Sequence, residues 1–176
     1  MRNILPIALV IRNGIRRKGM SIENVVNSNQ LDFEGIPSSY YLLGLLSAFE
    51  NRFQAMADNM MKEISWKQFF AIICINMCKE APTIRELSEV LGSSHQNVKQ
   101  ILLKLESKGF VEFKEDAEDK RKQRIVLTKK CRKFCEKNNE MSIQIMAKMF
   151  EGVPERDIKT TIKTITKIEK NLTEAV

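Results

Sequence analysis

Glycine and proline are scarce, seven and four in 176 residues, and few stretches alternate apolar with polar. That leaves little material for a turn-rich β domain and favours a mostly helical chain. There is one histidine, no phosphate-cradling glycine loop, no nucleophile elbow and no HExxH pair, so the common catalytic constellations lack their parts. The carboxylates fall in charge runs rather than apolar surroundings. The expectation is therefore no enzyme and no cofactor. No run of about 18 apolar residues occurs, so no helical membrane span is expected. The apolar stretch from Ile4 to Ile11 has neither a basic leader nor a small-residue cleavage site, which argues against a signal peptide and for the cytoplasm. Arg16-Arg17-Lys18-Gly19 can be encoded by purine-rich codons resembling a ribosome-binding site. Residues 1–19 then read as a leader, with Met20 as the native start.

What is present is apolar surface and positive charge. Apolar residues make up 43% of the chain, enough for one core or a small module with an added interaction element. The formal charge is +7, which suits a polyanionic partner. It is concentrated: from Ser93 to Phe134 there are twelve Lys/Arg against six Asp/Glu.

Residues 1–37 read as an N-terminal arm ending in Gly35-Ile36-Pro37. Ser38 or Ser39 is placed to cap a long helix whose apolar stripe is Leu42, Leu45, Leu46, Phe49, Phe53, Met56 and Met60. Ser65-Trp66-Lys67-Gln68 has capping-box spacing and opens a second helix, with Trp66, Phe69, Phe70, Ile73 and Met77 expected inward and Ala81-Pro82 ending it. Thr83-Ile84-Arg85-Glu86 repeats the box and starts a short helix with Ile84, Leu87 and Val90 inward. Gly92 makes the turn, and Ser93-Ser94-His95-Gln96 begins a helix to Lys108 that buries Val98, Ile101, Leu102 and Leu105. Capped helix, glycine turn and capped helix is the helix-turn-helix pattern. Phe110–Phe113 and Arg124–Leu127 then read as a hairpin joined by an acid-then-base loop. Thr128 caps a helix to about Phe150. A last helix after Pro154 carries Ile158, Ile162, Ile165, Ile168 and Leu172 as a narrow seam that wants a partner surface.

Glu86-Leu87 followed by Val90-Leu91-Gly92, Val98 followed by Leu105 to Val111, and Asp116, Asp119, Arg121, Leu127 and Thr128 occur in order. Together they resemble the MarR family of bacterial winged helix-turn-helix transcription regulators. Ala117 stands where the family often has proline, and Cys131 where it usually has glycine. The resemblance implies a mainly α fold with a small β-wing, a winged helix-turn-helix plus a helical dimerisation domain. The boundaries expected are 38–64 for a dimerisation helix, 65–128 for the winged module and 129–176 for C-terminal dimerisation helices. It also implies a homodimeric repressor on double-stranded DNA, released by a small apolar effector or a redox signal, with no membrane partner.

On that reading Ser93, Ser94, His95, Gln96, Asn97, Lys99, Gln100 and Lys104 face the major groove, although capping alone accounts for Ser93. Lys120 and Lys122 suit phosphates. By resemblance Arg121 reaches the minor groove and Asp119 orients it. A purely solvated loop is the plainer account of this run. Leu42, Leu45, Phe49, Ile158, Ile162, Ile165, Ile168 and Leu172 are expected to build the dimer. The cysteines pair at i, i+4 as Cys74/Cys78 and Cys131/Cys135, with Cys78 and Cys131 expected to approach. Packing, redox sensing and metal binding are the three readings. Met56, Met60, Met61, Met77, Met141, Met146 and Met149 are assigned to the dimer-side helices, as core or as a plastic effector pocket. Two further classes compete: a winged-helix protein–protein adaptor, and a cysteine-based redox or metal sensor.

Overall fold

Capping chemistry lays out the helices. The structure, a computed structural model, describes residues 35–174: α1 (Ser38–Met60), α2 (Trp66–Met77), α3 (Ile84–Leu91), α4 (His95–Ser107), β1 (Val111–Glu115), β2 (Gln123–Leu127), α5 (Lys129–Met149) and α6 (Glu155–Glu174). Nearly all of the expected arm, and the leader over 1–19, lie outside the described residues. The boxes at Ser65/Gln68 and Thr83/Glu86 are both closed in both directions. Ser94 accepts from the Asn97 N–H and Thr128 from the Cys131 N–H, so α4 and α5 start on hydroxyl caps. The start of α1 differs from expectation. Ser38 and Ser39 are already helical, and the cap is Pro37, whose carbonyl accepts from Tyr40 and Tyr41. Proline fits there because a helix start has no need of its missing N–H.

At the end of α4, Gly109 takes φ +72°, and the Phe110 N–H reaches back to the Leu105 carbonyl at 2.9 Å. This closure terminates the helix and turns the chain into the wing. Strands β1 and β2 pair antiparallel with Val111 opposite Leu127 and Glu115 opposite Gln123. Each is a residue or two longer toward the loop than the apolar pattern showed. Thr128 fastens the far end: its N–H donates to the Phe110 carbonyl and its hydroxyl to the Gly109 carbonyl at 2.7 Å.

The core lies inside the winged module. Ile72, Ile75, Leu87, Val98, Leu102, Leu105, Phe110, Val111 and Ile125 are buried together, each contributing on the order of 1.5–3 kcal/mol by leaving water. The inward face of α2 is rotated from the expected one. Gln68, Ala71, Ile72, Cys74 and Ile75 are buried, whereas Phe70 and Met77 are exposed. Ala71 and Cys74 share that face with Ile72 and Ile75, while the aromatic Phe70 is left at the rim. Val90 is likewise exposed rather than inward. Met77 ends α2 and so is no part of the methionine set on the long helices; α2 itself stops there, four residues before Ala81.

Aromatic rings carry the packing from α1 into this module. Phe49 stacks on Phe53, Phe53 meets Trp66 edge-on at 4.6 Å, and Trp66 adjoins Phe69. Phe69 meets Phe134 of α5, which packs edge-on against Phe110 at 5.1 Å. Offset and edge-to-face rings at these separations attract beyond their buried area. Helix α6 is different. None of its residues is buried within the chain, although Ile158, Ile162, Ile165, Ile168 and Leu172 share one face.

Candidate nucleic-acid interface

The surface of α4 follows from what its core face uses. Val98, Leu102 and Leu105 are buried, which leaves His95, Gln96, Asn97, Lys99, Gln100 and Lys104 exposed on the helix. Ser93 and Ser94 sit at its start. Ser94 is the cap, while Ser93 accepts from the Asn97 amide at 2.8 Å. Asn97 is thus held by the turn rather than pointing freely outward. Arg85, Ser88, Glu89, Gly92, Ser93 and His95 line an open groove between α3 and α4.

The wing is the β1–β2 hairpin, with residues 116–122 at its tip. Asp119 accepts from the Arg121 backbone N–H and from Arg121 Nε, and its second oxygen lies 3.8 Å from Lys122 Nζ. These donors, the Arg121 N–H first, hold the Asp119 carboxyl below its usual range. The Arg121 side chain remains 92% exposed. Its guanidinium is oriented by a carboxylate yet open on its far side, and Lys120 and Lys122 flank it in solvent. Asp119 and Arg121 are thus in direct contact at the wing tip.

Two wing residues play roles that the charge pattern concealed. Asp116 is buried, not part of a solvated tip. It accepts from the Asp119 and Glu118 N–H groups and from Arg124, and the Asp119 N–H, the Arg124 side chain and the Glu118 N–H lower its pKa to about 2. Arg124, which continues the basic run in sequence, is turned away from solvent into this carboxylate. An aspartate two or three residues before its N–H partners is the local signal for such a turn.

The cysteines lie apart from this surface. Cys74 and Cys131 are buried in one core cluster, with Cys135 partly buried against it; Cys78, expected beside Cys131, donates its thiol to the Cys74 carbonyl instead. Among the described residues no three His, Cys, Asp or Glu side chains group as a metal site, so the four-thiolate arrangement is not formed. Burial pushes Cys131 up to about 12, with Cys135 adding to the effect, and burial also raises Cys74 and Cys135. Of the three readings, packing fits Cys131 best: it is a small core hydrophobe at the root of α5.

The remaining site residues lie on the long helices. Leu42 and Leu45 are half-buried and Phe49 is exposed on α1; Ile158 and Ile165 are half-buried and Ile162, Ile168 and Leu172 exposed on α6. No described helix is long and apolar enough to cross a membrane.

Comparison with known proteins places the fold. Residues 64–122 match the model of the MarR family. A MarR/EmrR family transcriptional regulator from Acinetobacter sp. ADP1 superposes with a TM-score of 0.70 at 18% identity, covering 79% of this chain and 99% of its own. The S. aureus MepR–DNA complex gives 0.65 at 19% identity, over 73% of this chain and 95% of that one. An organohalide-sensing regulator in its 2,4-dichlorophenol-bound form gives 0.68 at 17%, over 80% and 85%. Residues 64–122, which hold the capped helix pair and the first strand of the hairpin, thus match the MarR family, and the chain shares the winged-helix fold of the solved regulators on which it superposes.

Proposed function

We propose that this chain is a sequence-specific DNA-binding transcription regulator, a homodimeric repressor of a pseudo-palindromic operator. The observation that carries it is Arg121: almost fully exposed, oriented by Asp119, on the same module as the unburied face of α4. Within the major groove, Gln96 and Gln100 suit adenine edges, and Lys99 and Lys104 suit guanine edges or phosphates; Ser93, Ser94, His95 and Asn97 complete the helix start. Arg121 enters the flanking minor groove, where a narrow groove concentrates negative potential. Lys120 and Lys122 neutralise phosphates. Similarity to a structure solved with DNA supports the same partner.

Dimerisation falls to 38–64 and 129–176, around the module at 65–128. An α6 seam with no fully buried residue within one chain supports a second copy as its cover. A small apolar effector, bound near the methionine-rich long helices, shifts the population of dimers whose half-site spacing fits the operator. The regulator bound to 2,4-dichlorophenol supports that class of signal, while the raised cysteine pKa values weigh against oxidation. Selection of genomic fragments by the purified protein tests the reading. A shared palindrome, bound with a steep salt dependence, is the expected result. Failure to retain any duplex, with capture of an acidic protein instead, would favour the adaptor.

A further inference from the structure

Arg124 is set apart from the other cations of the wing: Lys114, Lys120, Arg121 and Lys122 are exposed, and it is not. It stands on β2 opposite Lys114. Its Nε donates to the Asp116 carboxylate, and its Nη1 to the Ala81 carbonyl at 3.1 Å and to Glu86 Oε2 at 3.2 Å. Each partner fixes a different piece. Asp116 uses its other oxygen to take the Glu118 and Asp119 N–H groups, both at 2.9 Å, so it shapes the turn on which Asp119 holds Arg121. Glu86 is the carboxylate of the α3 capping box, accepting from the Thr83 N–H at 2.7 Å and its hydroxyl at 3.0 Å. One residue along, the Ile125 N–H donates to the Pro82 carbonyl at 2.9 Å.

We infer that Arg124 is a positioning residue, clamping the wing to the start of the helix-turn-helix so that Arg121 is presented at a set angle to α4. This rests on the DNA-binding reading above. The line runs from Arg121 to the Asp119 side chain, through the Asp119 backbone N–H to Asp116, then to Arg124 and to Glu86 at the head of α3. A guanidinium is required because its planar fork sends separate N–H groups to Asp116 on one side and to Ala81 and Glu86 on the other. A lysine ammonium offers one point of charge and cannot span them. Nε and Nη1 are both engaged in this way, which turns the guanidinium inward to the protein.

The test uses the full chain, a duplex selected by the wild-type protein and a random-sequence duplex. Each variant is studied where it keeps the wild-type helical circular dichroism. Arg124→Ala should weaken binding to the selected duplex about tenfold, yet less than about twofold when Arg121 is already alanine, since the two act as one unit. Arg124→Lys should not restore affinity. Asp116→Asn attacks the clamp from its other end and should behave alike, which keeps the test open if Arg124→Ala does not fold. Amide exchange at Glu118 and Asp119 in the DNA-free protein should quicken at least about tenfold in the variants. Wild-type affinity in the variants, or losses that add fully to that of Arg121→Ala, overturns the positioning role; so does unchanged exchange. Wild-type protein that binds neither duplex overturns the DNA reading and the positioning role with it, and exchange then reports on the clamp alone.

Discussion

Asp119 accepts twice from Arg121, at 3.1 Å from its backbone N–H and at 3.2 Å from its Nε. The two bonds fix both the backbone that carries the arginine and the direction in which its side chain leaves. An exposed ion pair of this sort adds little to folding stability, so its value lies in preorganisation: a long side chain that would otherwise lose rotamer freedom on binding is already held. Arg121→Ala should therefore cost the specific complex about 1–3 kcal/mol, the range of a good groove contact, with the melting temperature nearly unchanged. A gel-shift titration gives the affinity and light scattering the assembly; unaltered affinity would remove the wing tip from the interface.

Lys120 lies beside Arg121 with its ammonium in solvent. If it meets a phosphate, Lys120→Ala should weaken selected and random duplexes alike and reduce the slope of log K against log salt by about one. A loss limited to the selected duplex would instead assign it to base recognition.

The α6 seam offers a third check. Ile162 is 59% exposed and Ile165 half-buried, and neither supports the core of the winged module. Replacing both with aspartate should leave that module folded but give monomers by light scattering, because two buried, unpaired carboxylates cannot be tolerated between subunits. A dimer that persists would move the interface elsewhere.

Acid stability should report on Asp116. Its pKa falls from 3.8 to about 2 on folding, so the unfolded chain takes up its proton first as pH drops. Its contribution to stability is complete above about pH 4 and disappears between there and pH 2. Asp116→Asn should flatten that limb of a plot of urea midpoint against pH and lower the plateau at neutral pH. An unchanged acid limb would deny the carboxylate its native partners.

At the alkaline end the sign reverses. Folding raises Cys131 from 9.0 to about 12, favouring the neutral thiol. Its contribution is present below pH 9 and fades as pH rises toward 12. At pH 8 iodoacetamide should leave Cys131 unmodified in the native protein and label it in urea, since the thiolate is the nucleophile. Rapid native labelling would bring the redox signal back.

Much of the fold was legible because caps are local. Ser65 with Gln68, Thr83 with Glu86, and Thr128 three residues before Cys131 each advertise a helix start within one turn of chain. Asp119 with Arg121 is equally local. What escaped depends on distance in sequence or on competition for space. Nothing near Arg124 shows that the carbonyl of Ala81, forty-three positions earlier, will lie beside it; in a run of lysines and arginines it reads as one more solvated cation. On α2 the reading gave the interior to the largest apolar residues, whereas Ala71 and Cys74 share it with Ile72 and Ile75. Pro37, the head of α1, reads from sequence as the end of an arm because serine is the commoner cap.

A two-stranded ribbon has two outer edges, and an unguarded edge invites a foreign strand. On the side of β2 away from β1, the Pro82 carbonyl accepts from the Ile125 N–H, and proline, having no N–H of its own, cannot pass the ladder outward. Along β1 the exposed residues are Glu112, Lys114 and Glu115, all charged, with Glu112 and Lys114 paired at 3.0 Å. Proline on one side and charge on the other are the means by which natural sheets discourage strand addition. The wing can thus protrude far enough to reach a groove without becoming a seed for aggregation.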